Sequence, residues 1–172
     1  MKKSLISLIL LCVVLGIRAQ DLRFKDGKFK IVQFTDLHYK LGNPASKQAT
    51  DCMYEVVKAE NPDLIVLTGD VIYAKPGDAC LQQILNVLTD LKRPFCYLLG
   101  NHDPEQGIAV GKLYDQAAQN SFCVQPKRDG NVLDYAVPIK SGDGAKTAAV
   151  LYCMDRHAYC KMEDVGLYQW LS

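Results

Sequence analysis

The chain has 172 residues, of which 49% are apolar and 23% are charged, as in soluble globular proteins. This length favours one domain with a substantial core. The formal net charge of +1 argues against an extensive nucleic-acid-binding surface. No low-complexity tract, heptad pattern or internal repeat is visible in the sequence.

Residues 1–19 have the pattern of a secretory signal peptide. Two lysines precede an apolar run from Leu5 to Gly16, and the small residue Ala19 follows. The run is too short to span a bilayer comfortably. We therefore expect a mature domain of residues 20–172 that is periplasmic or secreted and has no membrane anchor. A lipid anchor on Cys12 is the less favoured alternative, because Leu11 stands where a lipoprotein signal requires a small residue.

Removal of the signal would leave six of the seven cysteines, which allow fifteen complete disulfide pairings. Cys96 and Cys153 lie in apolar, strand-like runs, and Cys52 lies on a predicted helix face, so each can also be a small core residue. No pair has the C-x-x-C spacing. An oxidising compartment would permit one or two disulfides, but the sequence does not choose among the pairings.

The first half of the mature chain alternates predicted strands and helices. Polarity alternates around Asp26-Gly27, which predicts a hairpin of residues 22–25 and 28–31, its second strand continuing to Phe34. A helix is predicted over 45–60, an apolar strand over 63–67 that is covered on both faces, a helix over 79–91 and a strand over 95–99.

In the second half we expect a helix over 105–119, with Val110, Leu113, Tyr114 and Ala117 facing inward. Strands over 131–139 and 146–154 are close enough in sequence to form a hairpin, and a further helix begins near residue 165. The β-α-β-α-β order predicts parallel strands with right-handed crossovers. Ligands of such sheets bind beyond the carboxyl ends of the strands.

Each of the three predicted parallel strands is followed at once by polar side chains. The clusters are Asp36-Leu37-His38, Gly69-Asp70 and Gly100-Asn101-His102-Asp103. Their strand ends share one rim of the sheet, so the clusters should converge there. Mixed oxygen and nitrogen ligands suit iron, manganese or zinc, and a bridging carboxylate would hold two ions about 3.5–4 Å apart.

These motifs, in this order and at this spacing, resemble the calcineurin-like metallophosphoesterases. The resemblance runs from about Phe29 to Met154 and implies an α/β fold: the βαβαβ half of a metallophosphoesterase-type β-sandwich, flanked by helices. It implies Asp36 and His38 on one metal ion, Asp70 bridging two ions, and Asn101 on the second. It further implies that His102 protonates the leaving oxygen or stabilises the transition state, that Asp103 orients His102, and that a metal-bound hydroxide attacks phosphorus.

Gly69-Asp70-Val71-Ile72-Tyr73 also resembles the Gly-Asp-x-x-Tyr pattern of the purple acid phosphatase-like branch, in which the tyrosine binds ferric iron. That branch lacks the histidine of the first motif, whereas this chain has both His38 and Tyr73. We favour His38 as the ligand and Tyr73 as a loop residue that does not bind the metal. A purple colour in the metal-loaded protein would reverse this choice.

The chain departs from the family after the third strand, where further histidine motifs are normal. Of its three histidines, only His157 remains, and its surroundings do not match those motifs. We therefore interpret the chain as an N-terminal part of the domain, truncated at its C-terminus, with weak or no activity alone and a complementing C-terminal segment as a partner. The expected substrate is a phosphate ester. The alternative is a non-catalytic metal- or phosphate-binding protein, or an inactive fragment, of the same fold.

Overall fold

The computed structural model describes residues 21–155. The predicted signal peptide, His157 and the helix predicted near residue 165 lie outside these residues. Among the described residues, no helix is both long enough and apolar enough to cross a membrane.

The described chain contains a parallel sheet, an antiparallel hairpin and three α-helices. The parallel sheet has the order β1-β2-β3, and β4 and β5 form the hairpin, as predicted. The elements are β1 (Ile31–Phe34), α1 (Pro44–Glu60), β2 (Leu64–Thr68), α2 (Gly77–Leu91), β3 (Phe95–Leu98), a 3₁₀ helix (Asp103–Gln106), α3 (Val110–Ala118), β4 (Tyr135–Lys140) and β5 (Thr147–Cys153).

The parallel sheet is covered on both faces, and β2 shows why its sequence is almost wholly apolar. Ile65 and Leu67 face the helices, in a cluster that includes Met53, Leu81 and Ile84. Alternate residues of β2 point the opposite way and pack against the hairpin, in a cluster with the following members: Leu64, Val66, Cys96, Tyr135, Val137, Ile139 and Cys153. The layers are therefore helices, parallel sheet and antiparallel hairpin, which is one half of the predicted sandwich.

The Asp26-Gly27 turn forms as predicted, but the strands around it do not extend into a full hairpin. Asp26 and Gly27 both have positive φ, at 49° and 72°, and Lys25 and Lys28 exchange backbone hydrogen bonds. Before the turn, the chain runs beside β4 through a bridge of Arg23 to Lys140. After the turn, the chain enters β1, which pairs with β2. The two arms of the predicted hairpin therefore pair with β4 and β2, which are distant in sequence, and not with each other beyond Lys25 and Lys28.

The helix predicted over 105–119 is also divided. Gly107 takes a φ of 79° at the end of the 3₁₀ helix, and α3 begins only at Val110. Leu113, Tyr114 and Ala117 are buried as predicted, but Val110 is 38% exposed, so its predicted inward position is wrong. Because Gly107 adopts this left-handed conformation, the 3₁₀ helix cannot continue into α3 as one helix.

Candidate active site

The loops that follow β1 and β2 place three candidate ligands in a strained conformation. Asp36, His38 and Asp70 have φ values of 54°, 43° and 50°, in the left-handed region that non-glycine residues rarely adopt. Three hydrogen bonds hold the loops side by side: Asp36 N donates to Gly69 O, His38 N to Asp70 O and Tyr39 N to Val71 O. Each loop therefore stabilises the conformation of the other.

These three residues form a cluster suited to a metal ion. One ligand atom from each of Asp36, His38 and Asp70 lies within 4.8 Å of the others. The Nε2 atom of His38 is 3.7 Å from Oδ1 of Asp36 and 4.0 Å from Oδ2 of Asp70. The Asp36 side chain is 61% exposed and that of Asp70 only 13%, so the cluster opens to solvent on the β1 side.

Two glycines allow the loop after β3 to approach Asp70. A Cβ on Gly69 would lie 2.7 Å from Cα of Gly100, and a Cβ on Gly100 would lie 2.2 Å from Oδ1 of Asp70. This approach lets the backbone N–H of His102 donate to Oδ1 of Asp70 at 2.8 Å. Asn101, the predicted ligand of a second ion, is half-buried between Gly100 and His102, both of which contact Asp70.

Asp103 does not have the contacts expected of a residue that orients His102. Its Oδ1 accepts hydrogen bonds from the backbone N–H groups of Val71 and Ile72, both at 2.9 Å, and its Oδ2 accepts one from Gly100 at 2.7 Å. The residue is fully buried, and burial raises the pKa of its carboxyl despite these bonds. Asp103 thus fastens the loop after β2 to the loop after β3.

The hydrogen-bond partner of the His102 ring is Glu105, which is not among the residues predicted from the sequence. Its Oε2 lies 2.8 Å from Nδ1 of His102, and this hydrogen bond raises the pKa of His102. A signal was available, because Pro104 favours a helical turn and residues three apart share one face of a 3₁₀ helix. The contact also leaves Nε2 as the ring nitrogen outside this pair.

Tyr73 lies between the two histidines of the site. Its ring meets that of His38 edge-on at 4.8 Å and that of His102 edge-on at 5.0 Å, and the two histidine rings are 5.7 Å apart. The ammonium of Lys40 is 4.8 Å from the centre of the Tyr73 ring. Tyr73 therefore packs against both imidazoles. That Tyr73 does not bind the metal stays a prediction.

The donor set fits a transition-metal ion. Two carboxylates and one imidazole converge, and oxygen and nitrogen ligands of this kind suit iron, manganese and zinc. Oδ2 of Asp70 faces His38 while its Oδ1 is engaged by His102 N–H, so the carboxylate is held rigidly at the centre of the site.

Comparison with known proteins identifies the family and is consistent with this fold. Residues 29–172 match the calcineurin-like phosphoesterase family, and the chain belongs to that family. It is 32% identical to "Probable inactive purple acid phosphatase 29" of Arabidopsis thaliana, with 99% of this chain and 54% of the relative covered. It is 28% identical to "Probable inactive purple acid phosphatase 14" of the same plant, over 97% of this chain and 51% of the relative.

A third relative is "Phosphatase DCR2" of Saccharomyces cerevisiae, at 28% identity over 90% of this chain and 31% of the relative. The chain thus spans about half the length of the two plant proteins and less of the yeast protein. These relatives agree with the predicted purple acid phosphatase-like branch and with an N-terminal part of the superfamily.

Proposed function

We propose that this domain contributes to the metal-dependent hydrolysis of phosphate esters at a dinuclear centre. The observation that supports this most is the convergence of Asp36, His38 and Asp70 within 4.8 Å at the carboxyl ends of β1 and β2. In this proposal Asp36 and His38 bind one ion, Asp70 bridges two, and Asn101 binds the second. Iron, manganese or zinc ions held there would activate water and offset charge on the phosphoryl oxygens.

The other residues of the site have separate roles in this proposal. His102 delivers a proton from Nε2 to the leaving oxygen, since Glu105 occupies its Nδ1. The Lys40 ammonium places positive charge beside Tyr73, which favours an anionic substrate. Asp103 keeps the two loops together and acts through the position of the backbone.

A metal titration combined with a phosphatase assay tests this proposal. We expect Mn²⁺ to bind weakly to the chain, measured by calorimetry, and Asp70→Ala to abolish binding, because an Asp70 ligand atom lies within 4.8 Å of those of both Asp36 and His38. Hydrolysis of a chromogenic phosphomonoester with Mn²⁺, Fe²⁺ or Zn²⁺ should be slow or absent for this chain alone. Any turnover should fall at least about 100-fold in His102→Ala, the size usual for loss of a general acid.

The matched control is Asp51→Ala, which removes an exposed carboxylate of α1 outside the site. Its metal affinity should equal that of the original protein. Equal Mn²⁺ affinity in Asp70→Ala and the original protein would contradict the metal site. Turnover unaffected by His102→Ala would contradict the assigned proton donor. A purple colour on iron loading that is lost in Tyr73→Phe would make Tyr73 a ligand.

A second candidate function is a metal- or phosphate-binding protein without catalysis. It is favoured by the names of the two Arabidopsis relatives, both of which are called probable inactive purple acid phosphatases. It predicts that metal or inorganic phosphate raises the unfolding temperature, while a longer polypeptide that includes the C-terminal half also fails to hydrolyse phosphate esters. Hydrolysis by that longer polypeptide would exclude it.

A further inference from the structure

Two buried cysteines face each other across the two β-sheets. Cys96 belongs to β3 of the parallel sheet, and Cys153 is the last residue of β5 in the hairpin. Their sulfur atoms are 4.0 Å apart, although 57 positions separate the residues in sequence. Both are almost completely buried, at 0% and 2% exposure.

The interface around this pair depends on side-chain packing. The two sheets do not share strand pairing among the described residues, and they meet through the cluster that contains Val66, Tyr135 and Val137. One hydrogen bond also crosses the interface, from the Tyr135 hydroxyl to the backbone oxygen of Tyr97 at 3.0 Å. A covalent link here would add to this packing and to the backbone hydrogen bonds that tie residues 22–24, just before β1, to β4.

We propose that Cys96 and Cys153 form a disulfide bond that fastens the β4–β5 hairpin to the parallel sheet. Sulfur atoms 4.0 Å apart must approach by about 2 Å to reach the length of an S–S bond. Cys153 is the last residue of β5 and pairs only within the hairpin, with Tyr135 of β4, so the approach needs a shift of this strand end and no change in the pairing of the parallel sheet. This bond selects one pairing among those that the sequence leaves open.

The bond forms by exchange with a small-molecule disulfide such as oxidised glutathione. A Cys153 thiolate attacks one glutathione sulfur and expels a glutathione thiolate, which leaves a mixed disulfide on Cys153. The Cys96 thiolate then attacks the Cys153 sulfur and releases the second glutathione thiolate. The two cysteine protons end on the two glutathione thiols, and glutathione disulfide accepts the two electrons. Contact with Cys96 lowers the pKa of Cys153, against the effect of burial, which suits it to the first attack.

The other described cysteines lie in different surroundings. Cys52 is exposed on α1. Cys80 packs among the helices, where its sulfur contacts the backbone oxygen of Ala74 at 3.4 Å. Cys123 forms a β-bridge with Phe95, the neighbour of Cys96, but its side chain packs against the helical cluster and not with Cys96 and Cys153 between the sheets. Proximity and shared burial therefore single out the pair between the sheets.

Peptide mapping tests the proposed bond. Reduced protein is equilibrated with mixtures of oxidised and reduced glutathione, denatured, treated with N-ethylmaleimide to block free thiols, and digested with trypsin. Cys96 and Cys153 lie in separate tryptic peptides, 93–112 and 147–156, each with one cysteine. We expect these two peptides to be linked under oxidising conditions and separate after reduction. Oxidised protein should unfold on the order of 10 °C above reduced protein, because the bond closes a long loop.

The double variant Cys96→Ala/Cys153→Ala should unfold at one temperature under both redox conditions, whereas the control Cys52→Ala should keep the full shift. N-ethylmaleimide on both Cys96 and Cys153 after oxidation would overturn the proposal, as would a link from either residue to Cys123. A redox-dependent shift that persists in the double variant would also overturn it. Because each protein is compared with itself in two redox states, a loss of stability from the substitutions does not obscure the result.

Discussion

Oε2 of Glu105 and Nδ1 of His102 lie 2.8 Å apart, so the imidazole is held by the turn that follows it. His102 precedes the 3₁₀ helix, and its backbone oxygen accepts from Glu105 N and from the Gln106 side chain. Ring and backbone of His102 are thus anchored within a single turn. This arrangement engages Nδ1 with Glu105 and leaves Nε2 outside that pair.

Glu105→Gln should lower the pKa of His102. The wild-type pKa is raised chiefly by the hydrogen bond with the Glu105 carboxylate, and a neutral amide removes that charge. NMR titration of the imidazole signals in metal-free protein measures the change. Glu55→Gln, which alters an exposed glutamate of α1, should leave the His102 titration unchanged. An unchanged His102 pKa in Glu105→Gln would show that the pair is absent in solution.

Asp103→Ala should destabilise the protein by about 3 kcal/mol, because it leaves three buried backbone N–H groups without their acceptor. Asp103→Asn should cost about 1–2 kcal/mol, since one oxygen can still accept from Val71 and Ile72 while the amide faces the Gly100 N–H. Urea unfolding measures both. The exposed control Asp129→Ala should stay within about 0.5 kcal/mol of wild type. Equal stability of all four proteins would refute the fastening role.

Tyr97→Phe should be neutral or slightly stabilising. The Tyr97 hydroxyl is buried near the Asp103 carboxylate, and burial, followed by that negative charge, raises the pKa of Tyr97. The hydroxyl has no hydrogen bond of normal geometry with the described residues, so its removal relieves a desolvated group. Tyr135→Phe is the contrasting variant, because that hydroxyl donates to the Tyr97 oxygen between the sheets. It should cost about 1 kcal/mol. Thermal unfolding compares the two, and a larger loss in Tyr97→Phe than in Tyr135→Phe would contradict the prediction.

Asp63 should contribute to stability at neutral pH and lose that contribution in acid. Burial opposes the shift, but the Lys25 ammonium at 2.6 Å and the Lys30 N–H at 2.9 Å hold the pKa of Asp63 below its ordinary value. A lowered folded-state pKa means that this stabilisation is complete above the unfolded-state pKa of about 3.9 and disappears as the pH falls through the folded-state value.

Asp63→Asn should therefore unfold more easily than wild type at pH 7, and the difference should shrink below about pH 4. Urea unfolding at several pH values measures it. Asp26→Asn, at the exposed tip of the adjacent turn, is the control and should not reproduce this pH dependence. A difference between Asp63→Asn and wild type that stays constant from pH 7 to pH 3 would argue against the ion pair.

The sequence alone determined the alternation of strands and helices and the rim where the polar clusters meet. An apolar run such as Leu64–Thr68 is stable in water only when both of its faces are buried. Parallel strands all have their carboxyl ends at the same edge of a sheet. That geometry was enough to bring Asp36, His38 and Asp70 together in prediction, and the structure places them in one cluster. The family also follows from motifs that are local in sequence.

Contacts between side chains distant in sequence were decided only by the tertiary structure. Asp103 and Glu105 are both carboxylates near His102, and the three-residue spacing of Glu105 is a local signal only once the 3₁₀ turn is known. The N–H groups of Val71 and Ile72 bind the buried Asp103 carboxylate, and Glu105 contacts the imidazole. The same holds for Cys96 and Cys153, whose proximity depends on how two sheets pack. The hydrophobic pattern determines which face of a helix or strand is buried. Which polar or sulfur side chains then contact each other depends on how the layers pack, and the sequence pattern does not specify this.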